Sequence, residues 1–245
     1  MSIKIPLWFV VGFCLVFSGC GRIKDAFFDD EDEMTGQASR PVPVEQPEEP
    51  APYPPNRKIY SSVGFYAKGY LWSRDEIMAT GIWNVRPRTV KHGHNYVSIY
   101  ASDTMRQAIQ AYYRAEPEAP LVELWDMSGS GGGRCAGHKS HQNGLDIDIR
   151  YTYVYEKGPR SMATIDYQKL FSLVKAWVDT GKVRRFFVDS SIKRKLCSMY
   201  SGETEYLRRL RPYKNHDDHI HVRLKCPKED AKCVDQVEVP AGSGC

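Results

Sequence analysis

The sequence lacks several features that identify common classes of protein. It contains no internal repeat and no Cys-x-x-Cys pair, and its net charge of +4 is too small to indicate a nucleic-acid partner. The glycine-rich segment 128–133 has no following Lys-Ser/Thr pair, so it predicts a flexible rim rather than a phosphate-binding loop. With 42% apolar and 12% aromatic residues, the composition excludes a fully disordered chain, a coiled coil and a collagen-like repeat.

The N-terminal segment has the pattern of an export signal. Lys4 precedes the apolar run Ile5–Phe17, which is too short to span a bilayer comfortably and has the length typical of a signal peptide. Two small residues and Cys20 follow, which resembles a bacterial lipobox with a phenylalanine where leucine is usual. We therefore predict a lipoprotein signal peptide over 1–19. An ordinary signal peptide with a chance cysteine is the alternative.

A charged, proline-rich segment separates this signal from the rest of the chain. Lipidation at Cys20 would attach the protein to a membrane without spanning it, and Gly21 in place of aspartate favours the outer membrane, facing the periplasm. Between 25 and 55 the chain has nine acidic residues and one basic residue, and seven prolines fall within 41–55. Such a stretch is extended and cannot bury a core. We predict that 20–56 is a disordered linker between the membrane and a domain.

The remaining residues, 57–245, are predicted to form one α+β domain. Apolar residues recur at helical spacing in some segments, whereas other segments are short and apolar. The two types are mixed without a regular βαβ rhythm, which favours α+β over α/β. The predicted elements are helices beginning at Ser102 or Asp103, spanning Leu170–Val178 and running from Asp189 or Ser190 to Met199, and strands at 121–125, 185–188 and 219–224.

Five of the seven histidines fall in two short segments, 137–149 and 215–222. Residues two apart in a strand share a face, so Asp146 and Asp148 would point one way, and so would His219 and His221. Two such strands side by side would gather carboxylates and imidazoles, and a bound metal is an efficient partner for buried polar groups. A His, Asp and His set with one open position favours catalytic zinc, although iron or manganese also fits.

The other two histidines, His92 and His94, lie apart from these segments and are predicted to be surface residues.

The motif His141-x-x-Gly144-x-Asp146-x-Asp148, followed by His219-x-His221, resembles the LAS-type metallopeptidases, which include lysostaphin-like, D-Ala-D-Ala-cleaving and hedgehog-like proteins. The longer segments 137–148 and 216–227 resemble, more specifically, the penicillin-insensitive murein endopeptidases. The resemblance runs from about residue 60 to Cys245. It implies a small antiparallel sheet that carries one Zn²⁺ per chain and is flanked by helices.

The resemblance also implies roles for particular residues. His141, Asp148 and His221 match the zinc ligands, and His219 matches the catalytic base. A second arrangement remains open, in which both His219 and His221 bind the metal with His141, and Asp148 lies outside the ligand set.

Three further residues are implied to support this site. His138 and His216 match histidines that orient groups or contact the substrate, and Asp146 or a backbone carbonyl is expected to fix the tautomer of an imidazole ligand. The family cleaves peptide cross-links in bacterial peptidoglycan, commonly the D-alanyl-diaminopimelate bond, so peptidoglycan is the expected partner. The alternatives are a D-Ala-D-Ala carboxypeptidase and a non-catalytic peptidoglycan-binding lipoprotein.

Cysteines and arginines complete the candidate residues. In an exported chain, Cys226 and Cys233 are expected to pair across a short loop, and Cys197 to pair with Cys245. Cys135 would then be free, and we interpret it as a structural thiol rather than a nucleophile. Arg134 and Arg150 are candidates for binding substrate carboxylates by bidentate contacts.

Overall fold

The computed structural model describes residues 61–155 and 163–245. The predicted signal peptide (1–19) and the linker with its lipidation site Cys20 (20–56) lie outside the described residues. Within the described part of the chain, no helix is both long enough and apolar enough to cross a membrane. The described residues form an α+β fold, as predicted from the mixed order of helices and strands.

The helices follow the apolar stripes of the sequence. The helices Tyr167–Val178 and Ser190–Met199 match the prediction closely, and Asp189 caps the second of them by accepting a hydrogen bond from the backbone N–H of Ser191. The bounds are α1 Pro87–Lys91, α2 Ile99–Ala115, α3 Tyr167–Val178, α4 Ser190–Met199 and α5 Thr204–Arg209.

Helix α2 begins earlier than the sequence predicted. Its cap is Ser98, whose hydroxyl accepts a hydrogen bond from the backbone N–H of Ala101, and neither Ser102 nor Asp103 caps it. The prediction was wrong because Ser102 has a side chain of the type that caps helices but lies buried within the first turns of the helix. The extra turn places α2 directly after a short strand.

The strands form one main sheet and three two-stranded ribbons. The main sheet has the order β11-β10-β12-β7-β6-β4, and the ribbons are β1-β2, β3-β5 and β8-β9. The bounds are β1 Ser62–Phe65, β2 Lys68–Leu71, β3 Arg74–Glu76, β4 Trp83–Val85, β5 Tyr96–Ser98, β6 Val122–Leu124, β7 Asp146–Arg150, β8 Tyr153–Tyr155, β9 Ala163–Ile165, β10 Val183–Val188, β11 Leu210–Pro212 and β12 His219–Leu224.

The main sheet is antiparallel in its centre and parallel at both edges. Strand β12 runs antiparallel to both β7 and β10, and β6 runs antiparallel to β7, as the predicted antiparallel sheet requires. At the edges, β11 is parallel to β10 and β4 is parallel to β6, which corrects that prediction. A helix intervenes in each parallel connection, so the returning strand runs in the same direction.

The central strands alternate between an apolar and a polar face. Ile147, Ile149 and Val222 are fully or almost fully buried, and they belong to the same core as Met105 of α2 and Trp177 of α3. The residues between them in sequence are acidic, basic or histidine. Since successive side chains of a strand point to opposite faces, the helices cover one face and leave the polar face for a site.

Two disulfides join the pairs predicted from the sequence, Cys197 with Cys245 and Cys226 with Cys233. Among the described residues, Cys135 is the free cysteine, and it is buried. Burial, followed by the nearby charges of Asp126 and Asp148, raises the pKa of its thiol to about 12. The thiol is therefore protonated at neutral pH, which supports its interpretation as a structural residue.

Candidate metal centre

The pairing of β7 with β12 creates the polar face of the sheet. In the antiparallel register, His221 lies opposite Asp148 and Arg223 lies opposite Asp146, while His219 lies opposite Arg150. These side chains therefore line one face of two neighbouring strands, as the two-residue periodicity predicted. Residues far apart in the sequence thus share a single surface.

His141 enters this surface from the loop before β7 in an unusual backbone conformation. Its φ of 64° lies in the left-handed region, which costs a histidine energy. The Asp146 carboxylate stabilises this conformation by accepting a 3.0 Å hydrogen bond from the backbone N–H of His141. The side chain of His141 is then buried and directed at Asp148.

The glycine-rich segment 128–133 is hydrogen-bonded to the loop that contains His141. Gly133 donates to the carbonyl of Gln142, and Gly131 accepts from the backbone N–H of Leu71. Gly132 has a φ of 66°, and a Cβ there would lie 2.2 Å from the Gln142 carbonyl oxygen. The prediction of a flexible rim is therefore corrected, because the glycines let the segment pack against two other backbones.

The ring nitrogens of four histidines, His138, His141, His219 and His221, approach the carboxylate of Asp148. Its Oδ1 lies 3.4 Å from His141 Nε2 and 3.2 Å from His221 Nδ1, and its Oδ2 lies 3.8 Å from His138 Nδ1. His138, His141 and Asp148 have ligand atoms that all lie within 4.8 Å of one another, which is close enough to bind one metal ion. His138 joins this compact group although the resemblance implied only a supporting role for it.

The buried polar atoms of this cluster fit a bound cation. Both ring nitrogens of His141 and the Oδ1 of Asp148 are buried and make no hydrogen bond with the described residues. A neutral imidazole keeps one N–H donor and one lone pair, so leaving both without partners costs on the order of 1–3 kcal/mol. A metal ion at this point would satisfy the nitrogen that faces Asp148.

The charges around His221 favour a cation in the same place. Burial by itself lowers the pKa of this imidazole, but Asp146 and Asp148 raise it to about 9. Burial raises the pKa of Asp148, but His141 and His221 hold it well below the usual range. The same pair of carboxylates that favours a proton on His221 favours a metal ion that replaces it.

Asp146 lies beside the ring of His221. Its Oδ1 lies 3.0 Å from His221 Nε2, which leaves Nδ1 facing Asp148. The same carboxylate accepts two hydrogen bonds from Arg223, at 2.7 Å from Nε and 2.9 Å from Nη2. The supporting role predicted for Asp146 stays a prediction, and Arg223 is a member of the network that the sequence analysis did not name.

We expect the substitution Asp146→Asn to destabilise the protein strongly. Asp146 is fully buried and Arg223 almost so, and removing one partner of a buried ion pair leaves an uncompensated charge that costs about 3–5 kcal/mol. The control is Glu123→Gln, because Glu123 pairs with Arg150 at a site where both side chains are about 30% exposed, and such pairs are worth about 1 kcal/mol or less. Urea unfolding of the metal-free proteins measures both losses. Equal losses would contradict the expected difference.

His219 lies at the open side of the cluster. Its Nδ1 is 2.6 Å from Asp218 Oδ1, and its Nε2 is 3.7 Å from Asp148 Oδ2. The exposed carboxylate of Asp218 thus holds one nitrogen and leaves the other directed toward the site. The ring of Trp125 lies beside it, with 5.7 Å between the ring centroids.

His216 is packed between its neighbours as a neutral ring. Its Nδ1 is 2.8 Å from the carbonyl oxygen of Lys214, and its ring centroid is 4.8 Å from that of His219. Burial lowers its pKa to about 4. His216 is therefore uncharged near neutral pH and can donate or accept a hydrogen bond without adding charge to the site.

Asp126 is a member of the site that the sequence analysis did not identify. Its carboxylate lies 2.9 Å from His138 Nε2 and accepts a 2.9 Å hydrogen bond from the hydroxyl of Thr89. Burial raises the pKa of Asp126, but the hydrogen bonds from His138 and Thr89 lower it to about 2. The available signal was its position just after the predicted strand at 121–125, beside a segment that carries the motif.

His94 also belongs to this edge of the site, which corrects its interpretation as a surface residue. Its side chain is 12% exposed, and its Nδ1 lies 3.7 Å from Asp126 Oδ1. His92 is exposed, as predicted. The sequence does not distinguish His94 from His92, because the burial of His94 depends on how the turn after α1 packs on Asp126.

The two arginines predicted to contact substrate lie in different surroundings. Arg150 forms a 3.0 Å ion pair with Glu123, which occupies part of its donor capacity. Arg134 is exposed beside the glycine-rich segment. Their contact with substrate carboxylates stays a prediction.

The chain is similar in sequence to a known protein family and to several of its curated members. The model of the family described as penicillin-insensitive murein endopeptidase matches residues 62–169 and 156–245. Curated proteins with that name from Escherichia coli (strain K12), Shigella flexneri serotype 5b and Shigella sonnei are 36% identical to this chain over 143 residues. The match covers 51% of this chain and 52% of each relative, so the chain spans about half the length of the curated relatives it matches.

Proposed function

This chain belongs to the family of penicillin-insensitive murein endopeptidases, and we propose that it is a zinc-dependent endopeptidase that hydrolyses peptide cross-links of the D-alanyl-diaminopimelate type in bacterial peptidoglycan. The observation that carries the proposal is the polar face of β7 and β12, where buried histidine nitrogens and a buried carboxylate lack hydrogen-bond partners. The names of the relatives supply the substrate class.

His141, Asp148 and His221 are the ligands in this proposal. Asp148 Oδ1 lies within 3.4 Å of His141 Nε2 and of His221 Nδ1, and the side chains of all three are at most 6% exposed. His138 is the competitor for the third position, but it is 22% exposed and its Nδ1 is 3.8 Å from the other Asp148 oxygen. Two imidazoles and one carboxylate with an open fourth position are typical of catalytic zinc.

A bound zinc ion would supply a Lewis acid that lowers the pKa of water and polarises the scissile carbonyl. His219 Nε2 accepts the proton of the attacking water and returns a proton to the leaving amine. Asp218 keeps the Nδ1–H of His219 in place throughout, because the two groups are 2.6 Å apart. His138, held by Asp126, and the neutral His216 border the same space and orient the substrate.

The proposed location follows from the sequence. Lipidation at Cys20 would attach the protein to the outer membrane, and the linker 20–56 would let the domain reach peptidoglycan from the periplasmic side.

The direct test is cleavage of cross-linked muropeptide dimers by the purified protein with one equivalent of zinc, with and without a chelator. We expect conversion of dimers to monomers that the chelator abolishes and that added zinc restores. Release of free D-alanine without loss of dimers would instead indicate the carboxypeptidase. Bound zinc without any cleavage would indicate a binding lipoprotein and contradict the proposal.

A further inference from the structure

An arginine is displayed beside the proposed catalytic base on the face of an aromatic ring. The guanidinium carbon of Arg86 lies 4.4 Å from the centre of the Trp125 ring, and that ring neighbours the imidazole of His219. A guanidinium that stacks on an indole is attracted to the ring and keeps its N–H edges available for other partners. The arrangement therefore presents a planar cation one ring away from His219.

Backbone and side-chain contacts fix this arrangement. The backbone N–H of Arg86 donates to the carbonyl of Leu124 at 2.9 Å, and that of Trp125 donates to the carbonyl of Asp148 at 2.8 Å. The indole N–H of Trp125 donates to Glu123 at 2.7 Å. The stacked pair is thus tied to the strand that carries a proposed metal ligand, and little conformational entropy remains to be lost on binding.

The guanidinium of Arg86 has spare binding capacity. Arg150 and Arg223 pair with Glu123 and Asp146, whereas in the described parts of the chain no carboxylate lies within 4.0 Å of Arg86. The positive charge of Arg86 also acts on Asp218. The hydrogen bond with His219 is the largest cause that lowers the pKa of Asp218, and the charge of Arg86 lowers it to a smaller degree. Arg86 is half-buried, so an anion that reaches it gains a partly desolvated partner.

The proposed substrate carries such an anion next to the bond that is cleaved. In a D-alanyl-diaminopimelate cross-link, the carbon that bears the leaving amine also bears a free carboxylate. We propose that Arg86, stacked on Trp125, binds this carboxylate and makes the enzyme select cross-links in which it is free over those in which it is amidated. This inference rests on the proposed function, and it adds a specificity-determining residue that touches the substrate.

The experiment compares two muropeptide dimers that differ only in amidation of this carboxylate. Dissociation constants are measured by calorimetry with the metal-free protein, and kcat/KM is measured with the zinc-loaded protein. Arg86→Gln removes the guanidinium, and Arg86→Lys keeps the charge without the planar donor pair. Arg88→Gln is the matched control, because Arg88 is an exposed residue of α1, the helix that Arg86 precedes, and the charge change is identical. Thermal unfolding confirms that each variant is folded.

We expect the wild-type protein to bind and cleave the free form about 10- to 100-fold better, as hydrogen bonds to a charged group imply. Arg86→Gln should abolish the preference, Arg86→Lys should retain part of it, and Arg88→Gln should leave it unchanged. Equal handling of both dimers by the wild type, or an equal loss for both dimers in Arg86→Gln, would overturn the inference. An Arg86-dependent binding preference without any cleavage would leave the inference standing and contradict the proposed function.

Discussion

Alanine at His221 is expected to remove the metal from the protein, whereas alanine at His138 is expected to leave it bound. The reason is geometric, because His221 Nδ1 lies 3.2 Å from the Asp148 oxygen that His141 also approaches, and its other nitrogen lies 3.0 Å from Asp146. Loss of a ligand should weaken metal affinity by more than the roughly 10- to 100-fold that loss of a residue supporting a ligand costs. Metal content after dialysis against a competing chelator measures the effect.

The two substitutions control for each other. Both remove one imidazole from the same cluster, but only one removes a ligand in the proposed set. His138 Nε2 lies 2.9 Å from Asp126 Oδ2 and His221 Nε2 lies 3.0 Å from Asp146 Oδ1, so each imidazole has its other nitrogen directed at Asp148 and the opposite result is equally interpretable. Metal loss in His138→Ala with retention in His221→Ala would move the third ligand to the compact group of His138, His141 and Asp148.

The second large effect is expected at His219. We expect His219→Ala to keep one zinc per chain and to lower kcat by about 10²- to 10⁴-fold, the usual contribution of a general acid–base residue. Asp218 at 2.6 Å shows which nitrogen is held and which one is free to accept a proton. The measurement is the initial rate of dimer cleavage, together with metal content by mass spectrometry.

His92→Ala is the matched control for this experiment, since His92 is an exposed histidine outside the cluster. It should retain both zinc and full activity. If His219→Ala loses zinc as well as activity, His219 is a ligand, as in the second arrangement that the sequence left open. Cleavage at an unchanged rate would remove His219 from the mechanism.

The sequence predicted the centre of the fold and of the site because both depend on strand periodicity. Alternation of Asp146 with Ile147, and of His221 with Val222, assigns each residue to a face without knowledge of the rest of the chain. Strand β12 has the bounds expected at 219–224, and it pairs with β7 as predicted. The local sequence pattern is sufficient to assign residues to the faces of a strand where apolar residues alternate with polar ones and one face is buried.

The surroundings of the site could not be predicted in the same way. Asp126 follows a predicted strand, whereas His94 and Arg86 have no distinctive neighbours in the sequence. The positions of all three depend on how the ends of β4 and β6 meet the site. The predicted cap of α2 was wrong. Several neighbouring residues have side chains that can cap a helix, and tertiary packing selects Ser98 among them. The parallel edges of the sheet depend on chain connections that periodicity does not describe.

The register that joins β7 to β12 also has a consequence for how the protein folds. The ion pair between Asp146 and Arg223 connects residues 77 positions apart, and the ligands proposed on the same strands are similarly distant. A long loop must therefore close before the metal-binding surface exists, and an unfolded chain cannot chelate the ion with this set. The ion is therefore expected to bind the native state more tightly than the unfolded chain, so raising free zinc should raise the melting temperature.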